Sequence, residues 1–299
     1  MKIIRVFLII IFLNIFLSAS EKIDYLYYAN IGISNEAGIL SKFKDRNVAL
    51  NSWVTELAEF EKMKININIY YEKEKILKDY KNKKLDTIIL DALTYYRNKD
   101  LLDPLTYKKW GVSLSKKKRS RYYLIADGEK KLKGFKDLKN KKLVLKSEDK
   151  NANVWLEKNS LTINKKSSKK LLEELKKEKN DRRVVFSVFF GKSDYGIITK
   201  RAWDVIVSFN PAIKKKVKII DMSDEIFFDN LAMYSKTSDA TSREFFLTKG
   251  ANPQELKSKK ALRLINLLKI DSIFIIEDES LKDLNKFFKE YFELEKRYN

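Results

Sequence analysis

The side chains of this sequence that stand at the ends of strand-like runs, where a small molecule is most readily met, are Tyr28, Asp91, Tyr95, Ser147, Asn151 and Asp194. Their chemistry is hydrogen bonding and charge. In open α/β sheets a ligand sits beyond the carboxyl ends of strands, facing the starts of helices. Unpaired backbone N–H groups there suit an oxyanion, each helix terminus contributing about 0.3–1 kcal/mol. On that rule the stretches to watch are 28–30, 91–95, 147–153 and 191–194. Ser147 is placed either to donate to an anion or to cap the helix that follows it. Asp194 is equally suited to accept from nearby backbone N–H groups. Tyr27, Tyr28 and Trp155 read as cleft walls or as packing residues, and Trp53 and Trp203 as core.

Bond-making chemistry is poorly supplied. The chain contains no histidine and no cysteine. This removes the commonest general base, the commonest transition-metal ligand, thiol nucleophiles, thiolate metal sites and disulfides. Asp, Glu, Lys and Tyr remain, but no hydrolytic triad can be built around histidine. The expectation is a protein with no catalytic residues, no metal and no cofactor.

The elements that must position these residues alternate between strand-like and helix-like, the mark of an α/β fold. Residues 23–28 read as a first strand. Leu50, Trp53, Val54, Leu57 and Ala58 give 47–62 a helical period, whereas 65–71 alternate Ile and Asn as a half-buried strand does. Further helices are expected over 74–83, 92–98, 151–159, 167–179, 201–209, 261–268 and 281–297. Strands are expected over 85–90, 122–126, 142–146, 195–199, 217–221 and 272–276. The apolar run 184–190 fits helix or strand. No repeat and no flexible tether appears, so any two lobes must be joined by strands or short crossings.

The first residues read as a targeting segment. Lys2 and Arg5 precede an apolar run from Val6 to Leu17, and Ser18-Ala19-Ser20 stand before Glu21. This order marks a secretory signal peptide over 1–20, and the run falls short of the roughly 20 residues a membrane span needs. Without a cysteine at the cleavage point there is no lipid anchor, so a free protein in the periplasm is expected. The formal charge of +21, or +19 without Lys2 and Arg5, comes mostly from lysine spread along the chain. Such spread reads as a solvated surface rather than a nucleic-acid site.

The run Phe189-Phe190-Gly191-Lys192-Ser193-Asp194-Tyr195-Gly196-Ile197-Ile198-Thr199-Lys200-Arg201-Ala202, followed by Asn210-Pro211, resembles the phosphonate, phosphite and phosphate substrate-binding proteins of ABC transporters. So do Val48-Ala49-Leu50-Asn51-Ser52-Trp53, Lys84 to Leu90 with Tyr95-Tyr96, and Leu138 to Leu143. The tail segments 267–272 and 290–294 are similar as well. The resemblance implies a two-lobed type II periplasmic binding protein fold, each lobe a mixed sheet flanked by helices, with two hinge crossings. It places the first part of lobe 1 at 21–118, lobe 2 at 119–229 and the return segment of lobe 1 at 230–299. It also implies capture of a small oxyanion or polar solute between the lobes and delivery to an inner-membrane permease by a monomer. The alternative is a solute-sensing subunit that signals to a membrane kinase or cyclase. Tyr95 aligns with the family's cleft tyrosine. Two departures stand out: Asp91 replaces a usual Ser, and Ser147-Glu148-Asp149-Lys150 replaces a Ser/Thr/Gly-rich loop. A carboxylate facing an anion is costly unless paired, so Asp91 must turn away, be neutralised by Lys150 or Arg97, or face a different ligand.

Overall fold

The computed structural model describes residues 25–37, 61–114, 116–147, 149–252 and 270–298, together with positions 56, 255, 259, 262, 263 and 266. The expected signal segment, all but the last turn of the 47–62 helix with Trp53, and most of the 261–268 helix lie outside these residues. In chain order the elements are β1 (Tyr27–Ser34), β2 (Met63–Tyr70), α1 (Lys73–Lys81), β3 (Thr87–Leu90), α2 (Ala92–Arg97), α3 (Lys99–Leu102), β4 (Thr106–Leu114) and β5 (Tyr122–Asp127). There follow β6 (Lys142–Lys146), α4 (Lys150–Asn164), α5 (Ser168–Leu171), β7 (Glu174–Glu178), α6 (Asp181–Phe189), β8 (Tyr195–Thr199), α7 (Lys200–Phe209), α8 (Pro211–Lys216) and β9 (Val217–Met222). The chain closes with β10 (Leu231–Ser235), α9 (Ala240–Ala251), β11 (Ile270–Ile276) and α10 (Lys282–Tyr298).

The strands form two mixed sheets flanked by helices, ordered β11-β4-β10-β3-β1-β2 and β7-β6-β8-β5-β9. In the first, β1 runs parallel to β2 and β3, while β10 is antiparallel to β3 and β4. In the second, β6 is parallel to β7 and β8, and β5 is antiparallel to β8 and β9. Each sheet therefore sends the carboxyl ends of its parallel strands to one edge.

Alternation along β1 divides its environment. Ala29, Ile31 and Ile33 join Trp110, Ala232 and Tyr234 on one face, with Phe245 and Phe246 of α9 packed against them. On the other face Gly32 admits Leu85 and α1, since a Cβ there would come 2.7 Å from the Leu85 Cδ1 and 3.2 Å from the Ile76 Cγ1. A second cluster joins the sheets: Ile88 and Leu90 of the first share a continuous core with Leu124, Leu145 and Trp155 of the second, through Phe227 and Phe288.

Two crossings connect the sheets. Ser120 and Phe227 form an isolated antiparallel bridge, with backbone bonds of 2.7 Å and 3.2 Å in the two directions. That bridge ties the outgoing chain before β5 to the returning chain before β10.

Two expected elements differ. The first strand runs over Tyr27–Ser34 and meets the expected 23–28 only at Tyr27 and Tyr28, with 23 and 24 outside the described residues. The expected 167–179 helix is the short α5 followed by β7, which adds to the sheet beside β6. The ambiguous run at 184–190 is helical, with the Asn180 side chain accepting from the Arg183 N–H at its start.

Candidate functional site

The carboxyl ends of β1, β3, β6 and β8 are where residues from the two sheets meet. Past β3, Asp91 begins α2: its Oδ1 accepts from the Thr94 N–H at 2.9 Å and its Oδ2 from the Thr94 hydroxyl at 2.6 Å. This is helix capping by a side chain of short reach. It accounts for the presence of Asp91 at a nearly buried position. Past β6, Asp149 caps α4 in the same way, accepting from the Ala152 N–H at 2.9 Å and from the Tyr122 hydroxyl at 2.7 Å.

Lys150, the first residue of α4, reaches across from the second sheet. Its ammonium pairs with Glu36, in the turn after β1, and stands 3.4 Å from the Asp91 Oδ2. The Asp91 side chain is 8% exposed, so this cation supplies the neutralisation that a buried carboxylate requires. The next residue, Asn151, has a buried side-chain oxygen with no hydrogen-bond partner among the described residues. Asn230 precedes Leu231, which pairs with Leu90, so it lies level with Asp91 across the strand ends. Among the described residues its side-chain nitrogen is buried without a partner, as is the Ser120 hydroxyl on the crossing. Buried polar groups are ordinarily bonded, so unpaired ones gathered at strand ends are groups to which a solute can bond.

The second sheet adds a denser polar set. Arg201, past β8, grips Asp229 with two bonds of 2.8 Å and 2.7 Å. Burial acts to lower the Arg201 pKa, but the Asp229 carboxylate outweighs it and the guanidinium is held charged. Lys177 donates to Asn153. Burial pushes the Asp149 carboxyl above its ordinary value and the Lys177 ammonium below its own. Burial, then the Asp149 charge, push the Tyr122 hydroxyl far up.

Of the residues nominated from sequence, Asp91 and Asn151 lie in this region, and so does Ser147, whose N–H donates to the Glu178 carbonyl at 2.9 Å. Ser147 does not cap α4; Asp149 does. Three nominations are corrected. Tyr28 is the second residue of β1, so it sits at the amino end of the strand, half exposed, with its N–H donating to the Ser242 hydroxyl at 2.8 Å. Asp194 precedes β8 and is likewise at an amino end. It accepts from the Lys130 ammonium at 2.7 Å and the Lys142 N–H at 2.9 Å. Burial would raise its carboxyl, but those two donors hold it below its ordinary value. Tyr95 is 1% exposed and its hydroxyl donates to Asp103 at 2.9 Å, with burial pushing its pKa well up. Arg201, Asp229 and Asn230 were not nominated, and Lys150 only as a group that could neutralise Asp91. The strand-end rule reaches Arg201 once it is applied to the end of β8.

A family model described as the periplasmic substrate-binding protein of phosphonate ABC transporters matches residues 38–272. A search of curated proteins returns no match. Among solved structures, a binding protein component of an ABC phosphonate transporter from Pseudomonas aeruginosa is 12% identical and superposes with a TM-score of 0.62, covering 91% of this chain and 89% of that one. PhnD1 from Prochlorococcus marinus in complex with methylphosphonate is 13% identical, with a TM-score of 0.62, 88% of this chain and 97% of that one covered. The periplasmic aliphatic sulphonate binding protein SsuA from Escherichia coli is 10% identical, with a TM-score of 0.52 over 89% and 87%. These likenesses show the type II periplasmic binding protein fold. The family match is to a transport family and gives no support to the sensing alternative. No helix among the described residues is long and apolar enough to cross a membrane. The chain belongs to the phosphonate family of periplasmic substrate-binding proteins, the solute-capturing components of ABC transporters.

Proposed function

We propose that this chain binds a small oxyanion, phosphonate- or phosphate-like, at the strand ends between two lobes and hands it to an inner-membrane permease without altering it. The lobes divide as 21–118 with 230–299, and 119–229. The bridge between Ser120 and Phe227, which ties the outgoing chain to the returning one, supports this division. Residues 1–20 direct export and are removed, and the protein then acts as an unanchored monomer in the periplasm that makes no use of nucleic acid. Capture without chemistry suits a chain lacking histidine and cysteine.

The observation that carries this reading is Lys150. It is a cation projecting from the start of a helix on one side of the crevice to Glu36 and Asp91 on the other, and Asn230, level with Asp91, has a side-chain nitrogen without a partner among the described residues. An oxyanion entering there meets an ammonium, a helix start and an amide donor together. The carboxylates then set selectivity: they oppose an anion that lacks hydrogen-bond donors or a positive group of its own.

Mass spectrometry of small molecules retained by natively purified protein identifies the solute. The Lys150→Met variant is then expected to bind it at least about tenfold more weakly, equivalent to about 1.4 kcal/mol. Equal affinity in variant and parent would remove Lys150 from the site.

A further inference from the structure

We infer that the end of the second sheet remote from the crevice is a docking surface for an anionic lipid bilayer. The strand register defines this pole. β8 begins at Tyr195, which pairs with Ala126 near the end of β5, and Asp127 at that end pairs with Val217 at the start of β9. α6 and α7 each run back from the crevice side and finish here, at Phe189 and Phe209.

Two phenylalanines project from those helix ends. Phe190 is 64% exposed and Phe209 87% exposed. Phe190 rests edge-on against Phe189, with ring centroids 5.2 Å apart. The turn beyond it is open: Gly191 has φ +70° and a Cβ there would meet nothing within 4 Å. Exposed lysines lie on the connections of the same pole, Lys131 beyond β5, Lys192 beyond α6, and Lys214 and Lys215 on α8. The acids of this pole are largely engaged by other lysines, Asp194 by Lys130 and Asp127 by Lys216. Glu129 offsets part of the excess. None of the four named lysines forms an ion pair among the described residues.

Exposed aromatic rings on the same pole as lysines without ion pairs match the headgroup layer of an anionic membrane, where rings sit at the interface and lysines meet phosphates. The permease does not compete for this surface, because it must meet the crevice rim through which the solute leaves. The five-residue β8 separates rim and pole by about 16 Å. Single-stranded nucleic acid also takes aromatic and basic groups, but on a groove that tracks its backbone, and these rings stand on separate protruding tips.

The test is sedimentation of protein purified after export with vesicles of phosphatidylglycerol and phosphatidylcholine, against vesicles of phosphatidylcholine alone. Association is expected with the anionic vesicles only, with release as salt screens the lysines. The double variant Phe190→Ser, Phe209→Ser is expected to lose about fivefold or more of the bound fraction, with melting temperature and solute affinity unchanged. No association, equal association with both vesicle types, or full retention by the double variant would overturn the inference. So would displacement of the bound protein by an oligonucleotide that the double variant still binds.

Discussion

At the residue scale the informative side chains are carboxylates at helix starts in a family that takes anions. Asp91 and Asp149 each satisfy backbone N–H groups that would otherwise be open to a ligand, and each then needs an answer to its own charge. For Asp91 that answer is Lys150. Asp149 has instead a hydroxyl and a backbone donor, and burial raises its pKa from 3.8. A carboxyl raised in the folded state holds its proton more tightly there. Its contribution to stability is therefore present below the unfolded value and is lost as pH rises through the folded one. Asn in its place can accept the same two bonds without charge. Asp149→Asn is expected to raise the melting temperature at pH 7, with the gain shrinking as pH falls toward 4, as thermal scans across that range would show. A loss of stability at every pH would mean that the ionised carboxylate is required. Sequence reading anticipated the tension at Asp91 and named Lys150 as one resolution. It misplaced Tyr28 and Asp194 because a strand end has a direction, and one misplaced boundary puts a residue at the wrong edge of the sheet.

At the element scale, most helices and strands were legible because their periodicity is local. β6 and β8 were read at their observed limits, 142–146 and 195–199. The failures are elements made by distant partners. Residues 167–179 carry leucines at helical spacing, yet Leu172 turns to extended backbone and Glu174–Glu178 pairs with β6. A charged edge strand of this kind also blocks further strand addition. β4 hides its nature behind Lys108 and Lys109, and owes its conformation to β10 and β11 on either side. Packing between elements also constrains single atoms. Gly32→Ala would set its Cβ 2.7 Å from Leu85 and 3.2 Å from Ile76, and is expected to cost about 1–3 kcal/mol. Urea unfolding measures this; a variant as stable as the parent would show that α1 shifts freely on β1.

At the scale of the whole molecule, the two sheets are coupled by more than their crossings. α10 packs on both α2 and α4, its Phe288 and Phe292 meeting Tyr96 while Glu290 pairs with Lys158 at 3.0 Å. The phenylalanine-rich core runs from one sheet to the other through Phe227 and Phe287. Under the proposed capture between two lobes, closure would slide α10 over one of its partners, which favours a small hinge angle over a wide one. The most direct measurement is calorimetric titration of protein freed of retained solute with phosphate, methylphosphonate and an aliphatic sulphonate. Saturable binding of at least one of them, one molecule per chain, is the predicted result. Absence of saturable heat with all three, from protein shown to be folded, would contradict the account.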